Sequence, residues 1–326
     1  MRRRPAHRLL QPQRRPAPSL PRPATDFAVR LHDGRRLGIA EFGSRSSLPV
    51  IYCHGFLGSR LEPAAGEIDG INIIAFDRPG YGRSDLQRLP SLRGFGADVA
   101  EALVQLGVGP CIVVGVSTGA PYALAIASVL GQRVRRVILA GGIAGPEVLE
   151  TAGGIALVLS LLGRRGSRTG RLLQRIMRLA VAARLERRFV SLALATERKV
   201  LERQGVALEA LRAGLLQSLR AGSRRSLRGP MADARLVAQP WDFSLLDIET
   251  EVHIVHGADD SVVPPIHAHW YAAHLPHSRL ELVPGELHLS LCFRSAARIQ
   301  AAVRELEEVG RSDDPEGNAA LLAEAG

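Results

Sequence analysis

The strongest constraint on this chain's fold is a series of short apolar runs separated by helix-length stretches. Segments 50–53, 71–76, 111–114, 134–140, 251–255 and 280–283 are dominated by Val, Ile, Leu and other apolar residues. Continuous apolar runs of this length suit strands buried on both faces, as in a parallel sheet covered by helices. Between them, Leu92, Phe95, Val99, Leu103 and Leu106 recur at helical spacing behind Ser91, a good N-cap residue. Segments 119–130, 266–275 and 289–309 are read as further helices. At the start, 27–31 and 36–42 flank Asp33-Gly34, a pair that favours a hairpin turn. A hairpin followed by alternating strands and helices predicts an α/β fold with a mostly parallel central sheet.

The alternation stops between about 147 and 247, where the pattern is helical throughout. Within 171–190, Leu172, Ile176, Leu179 and Ala183 share one helical face, with Arg175, Arg178 and Arg188 elsewhere. The expected organisation is an α/β core at 26–146 and 249–309, with a helical cap at 147–248. An Arg- and Pro-rich tail at 1–25 is expected to be disordered, and 310–326 to be a flexible tail. The formal net charge of +10 is unevenly spread. Residues 1–25 carry +7 and 147–248 carry +9, whereas 249–326 carry −8. Of 42 basic residues only Lys199 is lysine, a bias that reads as genomic composition more than binding chemistry.

Composition excludes several classes. Aromatic residues are 4% of the chain, too few for a base-stacking platform, so no nucleic-acid partner is expected. The apolar run at 155–159 is far short of a membrane span. Cys53, Cys111 and Cys292 are odd in number and widely spaced, which fits a reducing, cytoplasmic setting and no metal cluster. The glycine fingerprint of dinucleotide sites is absent, so no cofactor is expected.

Chemistry concentrates at three places. Gly115-Val116-Ser117-Thr118-Gly119 follows an apolar strand and precedes a small-residue helix. Glycines there permit a tight strand-to-helix turn that leaves a serine hydroxyl exposed, although a capping serine on a Gly-rich turn looks the same in isolation. A serine nucleophile needs a base, and the base needs an orienting carboxylate. Both follow in order: Gly257-x-x-Asp260-x-x-x-Pro264 and Pro284-Gly-Glu-Leu-His288, each just past a predicted strand. Asp259 competes with Asp260, which spacing favours.

Together with His54-Gly55-Phe56-Leu57-Gly58 and Asp77-Arg-Pro-Gly-Tyr-Gly-Arg-Ser84, these segments make the chain similar to the α/β-hydrolase superfamily across 26–146 and 249–309. The resemblance implies Ser117 as nucleophile, His288 as base and Asp260 as orienting acid. It implies oxyanion N–H donors at Phe56 and Thr118, with His54 and Gly55 shaping the turn beside the substrate. Thr118 stands where many relatives have glycine, so its side chain is expected to narrow the site. Serine at the elbow argues against the dehalogenase and epoxide-hydrolase branches, which use aspartate.

The favoured reading is a serine hydrolase of an ester or related acyl bond on a small-molecule substrate. Acyl transfer, amide cleavage and perhydrolysis use the same residues, and a binding protein on a hydrolase fold is a second class. The basic cap and tail leave open an anionic substrate or membrane-surface contact, and the oligomeric state is undetermined. His267, His269, His274 and His277 are read as an exposed face, Tyr81 and Arg83 as parts of a scaffold turn, and Cys53 and Cys292 as core fillers.

Overall fold

A computed structural model describes residues 20–313 apart from 67, 69, 150–152, 164–167, 183–184 and 224–225. The expected tail at 1–25 lies outside the described residues up to 19, but Thr25 already belongs to the first strand. The strands are β1 (Thr25–Arg30), β2 (Arg36–Phe42), β3 (Val50–Cys53), β4 (Ile73–Phe76), β5 (Cys111–Val116), β6 (Val134–Ala140), β7 (Val252–Gly257) and β8 (Ser278–Val283). They form one eight-stranded sheet in the order β1-β2-β4-β3-β5-β6-β7-β8. β1 and β2 form the antiparallel hairpin, β2 also runs antiparallel to β4, and the remaining pairs are parallel.

The helices are α1 (Leu92–Gln105), α2 (Ala120–Leu130), α3 (Pro146–Leu149), α4 (Gly154–Gly163), α5 (Arg168–Ala182), α6 (Glu186–Arg203), α7 (Leu208–Ser223), α8 (Arg228–Val237), α9 (Ile266–His274), α10 (His288–Phe293) and α11 (Ala296–Asp313). β3, β4 and β5 are wholly buried, as their unbroken apolar character requires. Their side chains alternate between two cores. Ile51, Cys53 and Val113 pack with α1 and α2, while Val50, Tyr52, Ile112 and Val114 pack with α11. Ser91 caps α1, its Oγ accepting the Gly94 N–H at 2.9 Å.

Two helical readings are corrected. The segment 289–309 is two helices, with Arg294 and Ser295 between α10 and α11. The Ser295 hydroxyl donates to Cys292 O at 2.9 Å, and its own carbonyl accepts the N–H groups of Arg298 and Ile299 in the first turn of α11. The segment 171–190 is also two helices, and Leu172, Ile176 and Leu179 are exposed rather than covered. The inward face of α5 is instead Leu173 and Met177, which pack on the main core. Ala183 lies outside the described residues, as does 314–326 of the expected C-terminal tail, while α11 runs on to Asp313.

Between β6 and β7 the described residues contain helices α3–α8 and no strand. Val190, Leu194, Leu201 and Leu211 of α6 and α7 make a small third core, against which Ala65, Leu289 and Phe293 pack. These two helices therefore rest on the turn after β3 and on α10. The chain crosses from β4 on one side of β3 to β5 on the other, creating the crevice where open α/β sheets place ligands.

Candidate active site

The parallel register pairs Cys53 with Gly115, so the turns after β3 and β5 emerge side by side. Ser117 follows β5 at φ +54°, a left-handed backbone that costs a non-glycine residue energy. The flanking glycines make the turn feasible. A Cβ at Gly119 would lie 2.1 Å from Cys53 O, and one at Gly115 2.7 Å from Ala120 Cα. Ser117, Asp260 and His288 then meet from three separate segments, each at the C-terminal end of a strand. His288 Nδ1–H donates to Asp260 Oδ2 at 2.7 Å. This leaves Nε2 to accept the Ser117 hydroxyl, with Oγ 3.1 Å away.

Asp260 is held by more than the imidazole. Its Oδ1 accepts the N–H groups of Val262 and Val263 at 2.9 and 2.8 Å. Burial alone would raise its carboxyl, but the His288 hydrogen bond and charge, with the Val263 N–H, hold it below the ordinary value. Burial pulls His288 down, and Asp260, Glu197 and Glu62 outweigh it, so the imidazole lies above its usual value. Asp259 is exposed, and its Oδ2 accepts the Gly285 N–H at 3.1 Å, a local loop contact away from His288.

The proposed oxyanion peptides are anchored through their carbonyls. Gly55 O accepts Arg78 Nη2 at 2.8 Å and His54 Nδ1 at 2.8 Å, and Ser117 O accepts the Ile143 N–H at 3.1 Å. Because a trans peptide points its N–H opposite its C=O, these bonds fix the directions of the Phe56 and Thr118 N–H groups. His54 is buried and, with Nε2 accepting the Arg78 N–H at 3.3 Å, serves the turn rather than the pocket. Burial and the Arg78 charge keep it well below the usual imidazole value. Thr118 corrects an expectation: its side chain is buried, with Oγ1 3.2 Å from Arg78 Nη1, and does not line the pocket.

Four charged residues around the site escaped sequence reading. Arg78 is fully buried, donates to both turns, pairs with Asp233 Oδ2 of α8 at 3.0 Å and lies over the Tyr81 and Tyr122 rings. Glu62 accepts the Gly55 N–H at 2.8 Å, and burial pushes its carboxyl up to about 7 against the pull of that N–H and of Arg78. Glu197 of α6 accepts the N–H groups of Leu289 and Ser290, both at 2.9 Å, and so caps the helix that begins at His288. Glu197 stands on the buried stripe Val190, Leu194, Leu201, so an acid among apolar neighbours at helical spacing was the available signal.

A pocket of about 220 Å³ opens over Ser117 and His288. Its walls include Phe56, Ile155, Phe189, Val190, Leu215 and Leu219, and among the described residues its ionisable walls besides His288 and Cys292 are Glu62 and Glu197. Among the described residues no arginine lines it; Arg171, Arg175 and Arg178 are exposed on α5. The basic charge of 147–248 is therefore no reason to expect an anionic group inside the pocket. Among the remaining residues, Tyr81 is buried with its hydroxyl donating to Asp233, and Arg83 N–H joins Arg60 on Asp77, as a scaffold turn would. Cys53 and Cys292 are buried thiols. His267 is not exposed: it is buried, its Nδ1 accepts the Ala144 N–H at 3.0 Å, and burial pushes it down to about 4. His269, His274 and His277 are exposed, and no metal-binding group of side chains occurs among the described residues.

The chain belongs to the Alpha/beta hydrolase family, whose sequence profile matches residues 50–299. Among solved structures it is similar to an esterase from Rhodococcus sp. ECU1013, with a TM-score of 0.59 and 21% identity over 86% of this chain and 97% of that one. It is similar to an esterase from Exiguobacterium antarcticum at TM-score 0.55 and 19% identity, covering 87% and 99%. A bromoperoxidase from Bacillus anthracis gives 0.60 and 18%, covering 86% and 98%. At these identities the likeness concerns the fold. No curated protein matches the sequence.

Proposed function

We propose that this chain is a serine hydrolase that cleaves an ester or related acyl bond through a covalent acyl-enzyme. The observation that carries the reading is the unbroken relay Ser117–His288–Asp260 at the floor of an apolar pocket. Ser117 Oγ attacks the substrate carbonyl while His288 Nε2 takes its proton. Asp260 holds the tautomer and stabilises the imidazolium. The Phe56 and Thr118 N–H groups receive the developing oxyanion, each worth roughly 3 kcal/mol in comparable sites. The leaving alcohol takes the proton from His288, and water then releases the acyl group by the same steps. Residues 147–248 act as a lid over the pocket, and Asp233 and Glu197 tie that lid to Arg78 and α10. Three free buried thiols support a reducing, cytoplasmic setting.

A panel of activated esters tests this. The pocket volume is below the roughly 300–1,000 Å³ of drug-sized sites, so short neutral acyl groups should turn over best. A carboxylate on the acyl chain would face Glu197 and Glu62. A like charge about 8 Å away at an effective dielectric near 20 costs about 2 kcal/mol, so kcat/KM should fall at least tenfold. Equal turnover of matched neutral and carboxylate-bearing esters would overturn the substrate assignment, and no turnover of any ester would overturn the hydrolase reading.

Glu197 supplies a second test. The reaction needs neutral His288, so kcat/KM should rise with pH through a value above the ordinary imidazole 6.5 or so. Removing a negative charge beside His288 favours the neutral ring. Glu197→Gln should therefore move this limb to lower pH, while losing one of the two bonds to α10 lowers kcat. An unmoved limb in a folded variant would show that Glu197 does not act on His288.

A further inference from the structure

Of the thirteen large apolar side chains exposed among the described residues, seven fall between Leu157 and Leu192. That concentration is unlike the scattered exposure normal for a protein surface. Its centre is α5, where Leu172, Ile176 and Leu179 are 57%, 51% and 69% exposed. They stand at i, i+4 and i+7, so they form one stripe along the helix. Arg171, Arg175 and Arg178 each precede one of them by one position and are exposed on the adjoining face, and Arg168 begins the helix. The helix contains no acidic residue. The face about 100° round the helix, through Leu173 and Met177, is fastened to the core, and the stripe is left exposed beside it. The apolar exposure continues into α6 through Leu185, whose N–H bonds to Ala180 O at 2.9 Å, and Phe189.

We infer that α5 is a docking surface for an anionic lipid bilayer. An apolar stripe with arginines along one side, on a helix without an acidic residue, matches the two layers of such an interface: acyl chains receive Leu172, Ile176 and Leu179, and headgroup phosphates receive the arginines. Charge decides against the other occupants. A second copy meeting this face about a two-fold axis would set arginine against arginine. The N-terminal segment, with seven arginines and no acid in residues 1–25, is repelled for the same reason. Nucleic acid would satisfy the arginines but leave the apolar stripe in water.

The placement has a consequence for access, which rests on the acyl-hydrolase reading. Phe189 is 57% exposed and also lines the pocket over Ser117. A bilayer seated on α5 and the start of α6 therefore lies at the pocket wall. Esters dissolved in the interface would reach Ser117 without crossing bulk water.

The test is co-sedimentation of the full chain with vesicles of phosphatidylcholine alone or with an equal amount of phosphatidylglycerol. Wild type should bind the anionic vesicles and not the neutral ones, and should be released as salt rises toward 1 M, where the Debye length is about 3 Å. With each basic residue worth roughly 1 kcal/mol at an anionic surface, the triple change of Arg171, Arg175 and Arg178 to Gln should weaken partitioning about a hundredfold. Leu172, Ile176 and Leu179 changed to Ser should weaken it at least tenfold. Neither variant touches the pocket, so both should hydrolyse a soluble short-chain ester at the wild-type rate; vesicle binding and chemistry are read separately. Binding that survives both variants would place the contact on the basic N-terminal segment and overturn the proposal. So would the absence of vesicle binding, or an oligomer that the Leu172, Ile176 and Leu179 variant dissociates in place of a lipid effect.

Discussion

Ser117→Ala is expected to lower kcat by about 10⁶, the scale on which a relay of this kind fails when its nucleophile is removed. The loss should be similar for His288→Ala, and the double variant should lose little more, because the two residues act as one unit. Residual activity of about 10³ to 10⁴ over water should persist, since the pocket and the Phe56 and Thr118 N–H groups stay in place. Steady-state kinetics on a short neutral ester measures all three variants. A Ser117→Ala enzyme within tenfold of wild type would mean that Ser117 is not the nucleophile.

Asp260→Asn carries the second large effect, about 10³ to 10⁴ in kcat. The amide presents an N–H where His288 Nδ1 needs an acceptor, so the ring rotates or adopts the wrong tautomer. The backbone bonds from Val262 and Val263 to Oδ1 hold the side chain in place, so the loss should appear in kcat more than in folding. Asp259→Asn should cost less than tenfold, because its side chain serves the Gly285 N–H of the neighbouring loop. Kinetics on both variants, with circular dichroism to verify folding, compares them directly. The reverse ranking would show that the adjacent acid carries the role.

Much of this site is legible in the amino-acid sequence alone. Strands buried on both faces announce themselves as apolar runs, and the residues that follow such strands are the ones a sheet delivers to its crevice. Ser117, Asp260 and His288 can each be placed by that rule because each belongs to a local strand-to-loop pattern. Asp233, Arg78 and Glu62 cannot, because their roles arise from contacts between separate segments; Glu197 shows only as an acid on an apolar helical stripe, which does not reveal its partners on α10. Arg78 and Asp233 are far apart in the chain, and no local pattern encodes their pairing. The α5 stripe is misread for a different reason. Periodicity shows that Leu172, Ile176 and Leu179 share a face, but it does not show which of two apolar faces meets the core; Leu173 and Met177 take the inward position. The closing helix reads too long because apolar spacing continues across Arg294 and Ser295 while the helical backbone does not.

Covalent acylation of Ser117 is the step on which the proposed chemistry depends. A fluorophosphonate reacts with an activated serine hydroxyl and stops at the adduct, so intact-protein mass spectrometry followed by peptide mapping reads that step directly. One adduct per chain is expected on the peptide containing Ser117, formed more slowly in Asp260→Asn and absent in Ser117→Ala. Equal labelling of wild type and Ser117→Ala, or an adduct mapped to another residue, would contradict it.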